Sequence, residues 1–132
     1  MKCRCVLLSL LSALGLSYFF STNVRAALWA SGIMTAVPDT WVVRLLPTGS
    51  MEPTLTEKDW LVFQHIPFAH VQVGDIISFR CPIDGVPVTH RVVRRLSDGR
   101  VMTRGDNNPE SDPWIVGPES YRGLLIAVYS DR

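Results

Sequence analysis

Hydrophobic positions follow two different patterns along the chain. Residues 6–20, VLLSLLSALGLSYFF, form one uncharged block. Counted through the polar but uncharged Ser21–Val24, the block reaches 19 residues. That is about enough to cross a hydrocarbon core of about 30 Å at about 1.5 Å per residue. From Trp41 onward the apolar residues come instead in short runs, rich in β-branched and aromatic types and bounded by Pro, Gly or Asp. These runs are WVVRLL (Trp41–Leu46), DWLVFQHI (Asp59–Ile66), DIISFRC (Asp75–Cys81), VPVTHRVVRRL (Val86–Leu96), VMTRG (Val101–Gly105) and YRGLLIAVYS (Tyr121–Ser130). Each predicts a strand. Asp98-Gly99 predicts a two-residue type I′ hairpin between the fourth and fifth runs, a turn in which both central residues need positive φ. Neither a long helical period nor an internal repeat follows the first block. The expected fold is mainly β: a small antiparallel sheet or partly open barrel behind an N-terminal transmembrane helix.

The flanks of the apolar block set its orientation. Lys2 and Arg4 precede it and Arg25 follows, with no clear Ala-x-Ala cleavage site at its end. A retained anchor is the preferred reading, with the N-terminus cytoplasmic and the remainder outside the membrane. A removed signal peptide and a buried core helix are the alternatives. The weaker patch AALWASGIMTAV (Ala26–Val37) is too short to span alone. It either extends the anchor, lies at the interface or belongs to a second crossing. The expected organisation is therefore a cytoplasmic end and anchor over 1–25, an interfacial or anchor-extending segment over 26–40, and an extracytoplasmic β domain over 41–132.

Composition narrows the chemistry. A chain of 132 residues allows one compact domain plus an anchor. Its net charge of +1 gives no sign of a nucleic-acid surface. Cys3, Cys5 and Cys81 make neither a disulfide framework nor a metal-binding spacing. Cys81 is expected as a half-buried strand residue. The only lysines are Lys2 and Lys58.

PTGSMEPTL (Pro47–Leu55) sets a small hydroxyl, Ser50, in a constrained turn. A serine becomes a nucleophile only when a neighbouring base takes its proton. Lys58, on the short link before the second strand, is expected to project into water, and His65 and His70 to lie in a solvated loop. His90 differs, because in VTHRVV it shares a strand face with Val88 and Val92. A histidine among valines is often a satisfied core residue. An imidazole, which ordinarily titrates near about pH 6.5, is also suited to proton transfer near neutrality. A carboxylate that orients such an imidazole is available in RGDNNPESDP (Arg104–Pro113), which offers Asp106, Glu110 and Asp112. The same stretch reads equally as a polar loop with Asx-turns. Its D-x-N-x-E start is calcium-like, but Ser111 and Gly117 stand where the calcium loop needs Gly and Glu. No metal and no cofactor are expected.

Taken in order, GSMEPTL, VGDIISF, THRVV and TRGDNNPESDP resemble the signal peptidase I superfamily of membrane-bound serine endopeptidases, over roughly residues 41–130. The familiar bacterial members pair the serine with a lysine where this chain has His90. A histidine there is similar to the endoplasmic-reticulum and archaeal type. The resemblance implies Ser50 as nucleophile, His90 as general base and Asp112 as the third member, with Asp106 second in order and shaping the loop. It also implies Thr48 and the Ser50 amide as oxyanion donors. The implied partners are precursor proteins carrying signal peptides, cut after a small-x-small motif, and the lipid bilayer. Partner subunits are not legible. Three alternatives stay open: a peptidase dedicated to a few exported or pilin-like proteins, an autoprotease of the SOS-repressor type, and an anchored β module without activity.

Overall fold

The computed structural model describes residues 37–130. The expected anchor over 6–24, most of the patch that follows it, and Cys3 and Cys5 lie outside the described residues. Among those described, no helix is long and apolar enough to cross a membrane.

Six strands form one antiparallel sheet: β1 (Thr40–Arg44), β2 (Asp59–Gln64), β3 (Ile76–Arg80), β4 (Pro87–Arg95), β5 (Val101–Arg104) and β6 (Tyr121–Ser130). Their order across the sheet is β1-β2-β6-β3-β4-β5. The sheet is thus open, with β1 and β5 at its edges. The last strand, β6, fills the middle and pairs with both β2 and β3. Regular helix among the described residues is limited to a three-residue 3-10 turn, Phe68–His70.

Both faces of the sheet are covered, which is why β3 and β6 read as nearly continuous apolar runs. Neighbouring residues feed opposite clusters. Ile77 and Leu124 join Phe79, Val92, Val101 and Tyr121 on one side. Ile76 and Leu125 join Met51, Leu55, Leu61 and Phe63 on the other. Trp41, Val43 and Leu45 pack against the second cluster. Truncating any of the buried Leu or Ile residues to Ala would cost about 2–5 kcal/mol.

Two local expectations are corrected. Gly99 has positive φ but Asp98 does not, so the β4–β5 turn is not type I′. The Gly99 amide donates to Leu96 O (3.0 Å) and the Leu96 amide to Arg100 O (2.8 Å). That is a three-residue loop, a β-turn followed by one left-handed glycine, and it needs positive φ at a single position. Cys81, expected half-buried within a strand, lies just beyond β3 and is 5% exposed. Its amide and carbonyl are both used in closing the β3–β4 loop.

Candidate active site

Ser50 sits on the loop between β1 and β2. Gly49 before it holds φ at +69°, a conformation that costs other residues about 1–2 kcal/mol. Met51 after it is buried in the second cluster, as is Leu55. The Glu52 amide donates to Gly49 O (3.1 Å) and the Leu55 amide to Met51 O (2.9 Å). The serine is therefore fixed from both sides while remaining partly exposed.

β4 supplies the imidazole. Alternation puts Val88, His90 and Val92 on one face and Thr89 and Arg91 on the other. His90 is buried, and its Nε2 lies 3.1 Å from Ser50 Oγ. Its Nδ1 lies 2.8 Å from Oδ2 of Asp112, which is buried on the long β5–β6 loop. A carboxylate only accepts, so Nδ1 carries the proton toward Asp112. Nε2 is left to accept from the Ser50 hydroxyl.

Thr48 completes this group. Its hydroxyl lies 3.3 Å from Ser50 Oγ, and the Ser50 amide points back at Thr48 Oγ1 (3.4 Å). The Thr48 hydroxyl and the Ser50 amide are thus two donors placed side by side next to Ser50 Oγ.

Asp106 goes elsewhere. It makes a two-pronged pair with Arg91, Nε to Oδ1 at 2.8 Å and Nη2 to Oδ2 at 2.6 Å. Burial pushes its carboxyl up. Hydrogen bonds from Arg91 and Thr54, with the charges of Arg91 and Arg104, outweigh that and hold it below the usual carboxylate range. Arg91 and Arg104 oppose each other across β4 and β5. Like charges so placed are destabilising, and Asp106 offsets this by pairing with Arg91 and attracting Arg104. Glu110, Lys58, His65 and His70 are exposed and stand outside the Ser50–His90–Asp112 line. His65 Nδ1 faces Arg122 O at 3.0 Å.

Three residues of the site carried no role in the sequence. The Asn107 amide donates to Ser50 O (2.8 Å) and its side chain to Gly49 O (3.1 Å), tying the β5–β6 loop to the serine loop. At Gly105, an added Cβ would come within 2.6 Å of Ser50 O and 3.0 Å of His90 Nε2. Thr103, fully buried, donates to Asp112 Oδ2 at 2.5 Å. A readable signal existed for Thr103, which sits in phase with buried Val101 in VMTRG. A polar group at an apolar-periodic position requires a partner.

Ser50 and His90 stand in a cleft of about 870 Å³ whose lining includes Trp41, Leu45, Ser78 and Val88. Strand edges border it. β5 pairs with β4 only from Arg91 onward, so the Pro87–His90 half of β4 lacks a neighbour on that side. β1 pairs with β2 alone. Among the described residues, no three His, Cys, Asp or Glu side chains are grouped to hold a metal ion.

Residues 16–96 match the family model described as signal peptidase, peptidase S26. That span includes Ser50 and His90 and ends before Asp106 and Asp112. The chain is 32% identical over 106 residues to a signal peptidase complex catalytic subunit sec11 of Pyrenophora teres f. teres, covering 77% of this chain and 60% of the relative. It is 33% identical over 84 residues to the corresponding Neurospora crassa subunit, covering 61% and 48%. For the Eremothecium gossypii subunit the identity is 31% over 102 residues, covering 74% and 60%. The chain therefore spans at most about three fifths of the length of these relatives.

Proposed function

The chain belongs to the signal peptidase family, peptidase S26, and we propose that it is a membrane-anchored serine endopeptidase that cleaves signal peptides from exported precursor proteins. The observation that carries this reading is the run of contacts from Ser50 Oγ to His90 Nε2 (3.1 Å) and from His90 Nδ1 to Asp112 Oδ2 (2.8 Å). It opens on a cleft bordered by unpaired strand edges.

The substrate lies extended in the cleft and takes backbone hydrogen bonds from an edge. Ser50 Oγ attacks the scissile carbonyl carbon while His90 Nε2 takes the hydroxyl proton. Asp112 holds the imidazole in place and balances its new charge. The carbonyl oxygen becomes an oxyanion, met by the Ser50 amide and the Thr48 hydroxyl. Loss of one such donor typically costs about 2.7–4 kcal/mol of barrier lowering. His90 then gives its proton to the departing amine as the C–N bond breaks. Water, deprotonated by His90, attacks the acyl-enzyme. The ester bond to Ser50 breaks, the serine regains its proton and the acid product leaves. Asp106, paired with Arg91, braces the loop and takes no part in proton transfer.

The 6–24 block is the proposed anchor, holding a domain over 41–132 on the far side of the membrane from Lys2 and Arg4. Binding of a signal peptide, and assembly with other subunits as the relatives' names state for those proteins, belong to the same proposal. The test is cleavage of a signal-peptide precursor by the full chain in lipid vesicles. Ser50→Ala and His90→Ala should each lower kcat by about 10³-fold or more. Cleavage undiminished in both variants would overturn the assignment.

A further inference from the structure

Among the described residues, Thr103 is the one fully buried polar side chain that touches the Ser50–His90–Asp112 line without belonging to it. It stands on β5 opposite Val92 of β4, on the strand face that carries His90 two residues away. Its exposure is 0%. Its hydroxyl donates to Oδ2 of Asp112 at 2.5 Å, the same oxygen that faces His90 Nδ1 at 2.8 Å. The direction is forced, because a carboxylate accepts and a threonine hydroxyl has one proton to give.

We propose that Thr103 is a positioning residue, which orients the Asp112 carboxylate so that Oδ2 stays on the His90 imidazole. The inference rests on the reading of Ser50 and His90 as nucleophile and base. The torsion that spins a carboxylate about its own axis is broad and roughly two-fold. One bond from His90 leaves either oxygen able to serve, and a turned carboxylate lets the imidazole tilt away from Ser50. A second donor, buried and fixed on a strand, selects one oxygen. The Asp112 amide separately donates to Thr103 O at 2.8 Å. That backbone bond keeps the loop closed whatever side chain stands at 103. The hydroxyl can therefore be removed without releasing the loop.

The experiment is a cycle on the full chain in vesicles, with Ser50→Ala as control. Thr103→Val keeps the shape and removes the hydroxyl; it should lower kcat about tenfold with KM nearly unchanged. Thr103→Ser restores the hydroxyl and should recover most of the rate. In an Asp112→Asn background, Thr103→Val should cost little further, because both changes break the same contact. The downfield proton resonance of the His90 Nδ1–H should shift in Thr103→Val and return in Thr103→Ser. Should the valine variant fail to fold, Thr103→Ala runs through the same cycle. A kcat unchanged by loss of the hydroxyl, or an equal loss in the Asp112→Asn background, overturns the role of Thr103. Activity retained in Ser50→Ala overturns the underlying reading instead.

Discussion

His90 and Arg91 are neighbours on β4, and each takes a carboxylate from the same loop, yet the two pairs are built for different work. His90 meets Asp112 within the protein, with side chains 10% and 5% exposed, and its other nitrogen faces Ser50. Arg91 meets Asp106 nearer the surface, at 29% and 16%, and spends another donor on Gly74 O. One pair contains an imidazole whose second nitrogen is aimed at a hydroxyl. The other contains a guanidinium that stays charged and is aimed at backbone. Alternation along one strand separates them. A base and an acid in contact therefore do not by themselves define an active site; what the base's remaining nitrogen faces does.

The largest break in this comparison comes from exchanging the carboxylates one at a time. Asp112→Asn should lower kcat by about 10³–10⁴-fold, because an amide can present its donor side to Nδ1 and favour the wrong tautomer. Asp106→Asn should keep activity well within the loss of about a hundredfold that follows a 1 Å misplacement. Its damage should appear instead as a lower thermal midpoint, since Arg91 and Arg104 then face each other unneutralised. Steady-state cleavage and melting curves on both variants test the pairing; the reverse ranking would assign Asp106 the role given to Asp112.

A smaller effect is expected from Gly105→Ala. Its methyl group presses on Ser50 O, on Asn108 Nδ2 and on His90 Nε2. Cleavage should fall by about a hundredfold, and normal kinetics would mean that the serine loop shifts freely. The smallest effect is one of pH. Asp106 is held below the ordinary carboxylate range when folded, so its contribution is present above the unfolded value of about 3.9. It disappears as pH falls through the lower folded value. Melting midpoints followed into acid should drop less steeply in Asp106→Asn than in the parent chain.

The six strands were legible because alternation and turn residues are local properties. All six runs from Trp41 onward became strands, with no boundary shifted by more than two residues. The β4–β5 turn misled because Asp-Gly serves two loop lengths, and the choice lies in the register of Arg95 against Val101. The open order of the sheet was not legible at all. The final run, β6, inserts between β2 and β3, and nothing in its own ten residues says so.

The sequence by itself determined the strands, the membership in the signal peptidase family, and a short list of candidates containing Ser50, His90, Asp106, Asp112 and Thr48. The strands follow from residue type and spacing along the chain, whereas the family, and Thr48 with it, rest on the resemblance of four short motifs. Only the tertiary structure decided that Asp112 faces His90 while Asp106 turns to Arg91. It also decided that Thr103 lies beneath Asp112 and that Asn107 holds the backbone of Ser50. Each of these contacts joins residues brought together by antiparallel pairing and loop closure. Which partner a side chain meets is then set by the face its strand presents, at distances that no local pattern encodes.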